Sequence, residues 1–243
     1  MRPHLFKLLL VVFTTICLSL LTLEVKAQRK VPAGRGLAVV VDERLSAVRA
    51  TPELSGKLVR RLGRGRLVAV RGFRTTPDGL VFLRVSLSSR TSGWIQQEAV
   101  ASRFRKGDDQ RLLKLILNST EFELVARARI FLDHFPRSPL RPHVLLVLGD
   151  AADNISLKLT RDAGRRLAGI ESFSEASLSS YYLNYSGLDR YNRQGVRFIF
   201  DSGARRFYYN GAAWRELLLK YPLAPEADLA KQRLRRVPAI PLK

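Results

Sequence analysis

Cysteine and histidine are nearly missing from this chain of 243 residues, which has one of the first and three of the second. Cys17 stands alone, so no intramolecular disulfide can staple the fold, and cohesion must come from buried apolar surface. Only His134 and His143 lie beyond the first few residues; their nine-residue spacing fits no common zinc pattern, and no thiol is at hand to complete one. There is no Gly-x-Ser-x-Gly elbow, and Gly34-x-Gly36 and Gly63-x-Gly65 are too short to cradle a phosphate. Asp150 and Asp153 could do acid–base work as a pair, but exposed carboxylates three apart on a helix usually form a solvated face. The expectation is a non-enzyme without metal or cofactor. Acidic residues are the other shortfall, with 21 Asp plus Glu against 42 Lys plus Arg.

The chain opens on Arg2 and Lys7, followed by a 16-residue apolar run from Leu8 to Leu23. That run is shorter than the roughly 20 residues a spanning helix needs. Val25-Lys26-Ala27 places small residues where a signal peptidase reads, which predicts a signal peptide over 1–27, cleavage before Gln28 and a periplasmic or secreted protein without an integral span. An uncleaved anchor is the alternative. Cleavage would leave 216 residues without cysteine and a net charge of +19. The excess is rich in arginine, whose planar fork grips carboxylates and phosphates in pairs. It reads either as attraction to an anionic partner or as a composition bias carried on solvated faces. Export argues against nucleic acid as that partner.

From Leu37 to about Ser102 the pattern is one of short strands: 37–41, 46–50, 57–62, 67–73, 81–87 and 93–96. Thr51-Pro52, Ser55-Gly56, Gly63-Arg64-Gly65 and Pro77-Asp78-Gly79 separate them as turns. Val48, Leu62, Val68, Val70, Val85 and Ile95 are the candidate core. Leu45 to Pro52, Leu62 to Val70 and the closing Gly93-Trp94-Ile95 together resemble the bacterial Src-homology-3-like (SH3b) domain. The chain departs from that family at Phe82-Leu83, where a Trp-Tyr pair is usual. The resemblance implies a small SH3-like β-barrel over 37–103 that binds peptidoglycan or another anionic envelope polymer.

Beyond a charged linker at 103–109 the period becomes helical. Helices are predicted over 111–117, 121–135, 139–153, 155–167, 214–220 and 226–236. An internal repeat joins them: Ala126, Arg129, Leu132, Pro136 and Pro139 recur 86 residues later as Ala212, Arg215, Leu218, Pro222 and Pro225. With Leu145-x-x-Leu148-Gly149-x-x-Ala152, this second half resembles tetratricopeptide-like helical repeats of envelope assembly proteins. That implies an all-α domain over 110–237 with a protein partner. Residues 196–210 alternate as a β-hairpin would, whereas the repeat asks for a helix there, and helix is the favoured reading.

Two sets of candidate contacts follow. Residues 37–106 carry a net +9 over 70 residues against +7 over 137 for the remainder. Arg60, Arg61, Arg64 and Arg66 surround the Gly63–Gly65 turn, with Arg71 and Arg74 nearby, as an expected contact for an anionic polymer. Tyr181 and Tyr185 share a helical face and read either as packing or as a peptide groove. The functional expectation is an exported, non-enzymatic envelope scaffold. The alternatives are a purely structural spacer and an enzyme with an unrecognised site.

Overall fold

The computed structural model describes residues 36–167, 180–182, 184 and 186–237. The expected leader lies outside them. Strands precede helices, as the change of period implies. The first part is an antiparallel sheet of β1 (Leu37–Val40), β2 (Ala47–Arg49), β3 (Leu58–Arg61), β4 (Leu67–Thr75), β5 (Val81–Ser86), β6 (Ser92–Gln96) and β7 (Val100–Ala101). The order across the sheet is β3-β2-β6-β5-β4-β1-β7.

This order corrects the expected barrel. β3 and β7 form opposite edges and do not pair, so the seven-stranded sheet is open. The reason lies in those edges. β7 has two residues and runs straight into the linker, while all four residues of β3 face solvent. Neither offers a long enough ladder to close a ring of strands. On one side of the sheet Ala38, Val40, Val48, Leu62, Val68, Leu83, Val85, Leu87, Ile95, Ala99 and Val100 form a core, with Val70 packed against it.

The second part contains α1 (Asp108–Leu117), α2 (Glu121–His134), α3 (Arg141–Leu167), α4 (Ser186–Asn192), the hairpin β8 (Phe198–Asp201) and β9 (Arg206–Tyr209), α5 (Ala212–Lys220) and α6 (Ala227–Leu234). Two expectations fail here. The helices at 139–153 and 155–167 are one helix of 27 residues, because Ala152, Ile155, Ser156, Leu159 and Ala163 continue its buried stripe without a break. Residues 198–209 are a hairpin, so the second half is not all-α. Phe198 pairs with Tyr209 and Phe200 with Phe207 in an alternating register that buries Phe207 and Tyr209, so period two prevails over the repeat.

The repeated helix stop is present in the backbone. Phe135 N–H donates to Phe131 O at 2.9 Å and Ser138 N–H to Phe135 O at 3.3 Å. In the second copy Tyr221 N–H donates to Leu217 O at 2.7 Å and Ala224 N–H to Tyr221 O at 3.1 Å. Buried Arg141 ties the copies together: Nη1 donates to Leu132 O at 2.5 Å and Nε to the Tyr221 hydroxyl at 2.8 Å. Gly149 on α3 lets Trp214 pack close against the helix. A Cβ there would lie 2.2 Å from Nε1 of Trp214, whose indole is buried on α5. Among the described residues no helix is long and apolar enough to cross a membrane.

Sheet and helices meet along β1. Ala38 and Val40 enter the sheet core, while Val39 and Val41 join Ala101 in the helical core, so one strand feeds both. Arg127 of α2 is buried at this seam. Its Nε donates to Val41 O at 3.2 Å, Nη1 donates to Ser119 Oγ, and Nη2 lies 2.8 Å from Glu123 Oε1 and 3.8 Å from Asp42 Oδ2.

Candidate functional site

The side of the sheet away from its core gathers several arginines around one tryptophan. Residues directly opposite each other in antiparallel strands project to the same side with Cβ atoms about 5 Å apart. Arg49 of β2 pairs with Trp94 of β6, Trp94 with Arg84 of β5, and Arg84 with Gly72 of β4. Their neighbours Val48, Ile95, Leu83 and Val85 take the alternate positions and fill the core, which leaves this row facing outward. Trp94 thus lies half-buried between two arginines. A Cβ on Gly72 would meet nothing within 4 Å, so the row ends in open space.

A register shift between Val70 and Gly72 places Arg71 at a bulge, which re-aims its side chain. Its Nε donates to Ser86 Oγ at 3.3 Å. The next row is Arg74, Phe82 and Gln96. Phe82 is fully buried although it faces away from the sheet core. It floors a cleft of about 720 Å³ walled by Pro52–Ser55 and Thr75–Leu80, with Arg74 on its rim. The walls are held locally. Arg49 Nη1 donates to Gly56 O at 2.8 Å, Thr76 Oγ1 to Leu80 O at 3.0 Å, and Gly79 turns the second wall at φ 82°. Among the described residues no carboxylate pairs with Arg49, Arg74 or Arg84. This surface can grip an anionic group with a guanidinium fork while a flat ring or apolar face lies on the indole.

The arginines expected to surround the Gly63–Gly65 turn separate. Arg60 and Arg61 are exposed on the β3 edge. Arg64 folds back onto α2 and pairs with Glu123 Oε1 at 3.0 Å. Arg66 is half-buried and reaches Leu87 O at 3.4 Å. Arg71 and Arg74 do join one surface, together with Arg49, Arg84 and Trp94, which sequence reasoning did not single out as contacts. The signal for them was the alternation in Phe82-Leu83-Arg84-Val85 and in Trp94-Ile95, which needed a cross-strand register to become a site.

Tyr185 lies outside the described residues. Tyr181 is half-buried, at 5.9 Å and 85° to the ring of Tyr182, with the Arg166 guanidinium 6.0 Å from its centroid. Tyr182 is buried and stacked on Phe200 at 4.0 Å.

His134 is half-buried beside β1, and burial pushes its imidazole below the ordinary 6.5. His143 Nδ1 is 3.5 Å from Glu226 Oε1. Asp150 pairs with Arg233 at 3.1 Å, while burial and the neighbouring Asp150 raise the carboxyl of Asp153. At the seam, hydrogen bonding from Arg44 holds Asp42 below the usual carboxylate range, and burial lowers Arg127. Burial pushes the Tyr209 phenol up to about 12. Among the described residues no group of three or more His, Cys, Asp or Glu converges as metal ligands would. Comparison with protein-family models, with curated proteins and with solved structures returned no match.

Proposed function

We propose that this is an exported, non-enzymatic binding protein whose open sheet holds an anionic polymer of the cell envelope, while the helical half engages a protein partner. The observation that carries the reading is the row Arg49, Trp94, Arg84, with Arg71 and Arg74 beside it. The indole receives the apolar face of a sugar ring, and the arginines take carboxylate or phosphate groups along the strand of polymer. Individual exposed ion pairs are weak, so affinity rests on several of them and falls steeply with salt. Binding is favoured over catalysis because the surface gathers cations and an aromatic around no buried acid or base that could move a proton. Export rests on the Val25-Lys26-Ala27 ending of the apolar run.

The test is sedimentation with isolated cell wall. Arg49→Gln with Arg84→Gln should weaken binding about tenfold, equivalent to about 1.4 kcal/mol, whereas Arg60→Gln with Arg61→Gln on the edge strand should do less. Equal binding by wild type and both double variants at low salt would reduce the arginine excess to composition. An intact mass beginning at Gln28, from the protein's own host, supports export, and a mass that includes residues 1–27 counts against cleavage.

A further inference from the structure

A second cleft, of about 720 Å³, lies at the joint between sheet and helices and shares no residue with the outer face of the sheet. One wall is the linker Arg103–Gly107 between β7 and α1. The other is the turn Phe135–Pro139 between α2 and α3.

Both walls are fixed before any ligand arrives. The Asp108 carboxylate is buried, accepts from Ser102 N–H at 2.7 Å and pairs with Arg105 at 2.8 Å, which braces the linker. Ser102 Oγ donates to Leu37 O at 2.7 Å. Ser138 Oγ donates to Asp109 Oδ2 at 2.7 Å, a bond that joins the two walls and occupies the cleft's own carboxylate.

The remaining groups are cationic and apolar on both sides. Arg103 and Lys106 stand on the linker and Arg137 on the turn, and among the described residues none of the three meets a carboxylate. Phe104 is 63% exposed, with the Arg103 guanidinium 4.8 Å from its ring centroid. Pro136 and Pro139 face it from the opposite wall. A large exposed ring beside unpaired cations, in a braced cleft of ligand size, has the composition of a recognition site.

We propose that this cleft docks an acidic segment of a partner protein that carries an aromatic or aliphatic side chain next to its carboxylates. The charge complementarity sets the sign of the partner. The apolar strip sets its class: a uniformly charged polyanion would use the arginines and leave Phe104 and the prolines uncovered, whereas an acidic peptide with an apolar residue covers both. Because one wall is the linker that leaves the sheet and the other a turn between two helices, the bound segment would also tie the linker to the helical half.

A library of short random peptides selected on the full chain tests this. The enriched peptides should combine Asp or Glu with Phe, Leu, Ile, Tyr or Trp. By fluorescence anisotropy, Arg103→Gln with Lys106→Gln and Arg137→Gln should weaken them about tenfold, and Phe104→Ala, at an exposed position, about threefold without lowering the melting temperature. The Arg49→Gln with Arg84→Gln variant should bind them as wild type does. The proposal is overturned by enriched peptides that lack acidic residues, or by peptides that bind the triple variant as tightly as wild type. It is equally overturned by peptides that lose affinity to the Arg49/Arg84 variant instead, or by displacement with polyglutamate or polyphosphate that Phe104→Ala leaves unchanged.

Discussion

The sheet and the helices use their aromatic residues in opposite ways. The inner core of the sheet is aliphatic throughout, while Phe82 and Trp94 face the other side. The helical core holds Phe131, Phe135, Tyr182, Tyr191, Phe207, Tyr209 and Trp214, in ring contact with one another or, for Tyr191, with Phe122 and Phe198. Large rings in the helical half therefore serve as filling between irregularly spaced elements, as their buried area suits them to do. In the sheet, where valine and isoleucine fill the pleated surface well, an outward tryptophan is surplus to packing and available to a ligand. On the proposed reading, the same residue type serves structure in one half and recognition in the other.

Six substitutions, in four tests, sharpen or break that contrast, in falling order of effect. Trp214→Ala should cost about 4 kcal/mol and lower the melting temperature by roughly 10 °C, whereas Trp94→Ala should cost far less and weaken polymer binding about tenfold. Comparable losses of stability from both would erase the distinction. Arg127→Ala at the seam should cost about 3 kcal/mol, because Val41 O and Ser119 Oγ lose a charged donor in a buried setting. If denaturant melts then show two separated transitions, the halves are held together chiefly by this residue.

Gly149→Ala should cost about 2 kcal/mol by driving a methyl into the Trp214 ring, while Gly164→Ala, with open space around it on the same helix, should stabilise by about 0.5 kcal/mol. Equal effects would mean that the indole can move aside. The smallest effect is the pH response of His134. Its folded pKa is depressed by burial, with Asp133 acting against this and Arg103 with it, so the unfolded chain takes up the proton first. The stability it confers is present above the unfolded value near 6.5 and is lost as pH falls from there through the folded value. Thermal melts from pH 7.5 to 5 should show this loss, and His134→Gln should flatten it.

Much of the local structure was legible from period and punctuation. Strand limits fell within a residue or two where Gly and Pro turns bounded period-two runs, as at Leu67–Thr75 and Val81–Ser86. The Phe135-Pro136 and Tyr221-Pro222 stops were readable because proline cannot continue a helix. What escaped depended on contacts distant in sequence. Whether the sheet closes is decided by the pairing of β3 with β7, which no local pattern encodes. The hairpin at 198–209 shows in its alternation, but the repeat, which asks for a helix there, points the other way. Arg64 looked like a turn-tip residue and instead found Glu123, 59 residues away. The outer-face row required the register of four strands before Arg49, Trp94 and Arg84 became neighbours.

The chain has two tryptophans, one in each role, so intrinsic fluorescence tests the central claim most directly. Titrating the protein with solubilised anionic cell-wall polymer should change the emission of Trp94 alone. The change should be lost in Trp94→Phe, kept in Trp214→Phe, and diminished as salt is raised. Saturable binding that leaves Trp94 emission untouched, or that alters only Trp214, would contradict the assignment of the outer face as the binding surface.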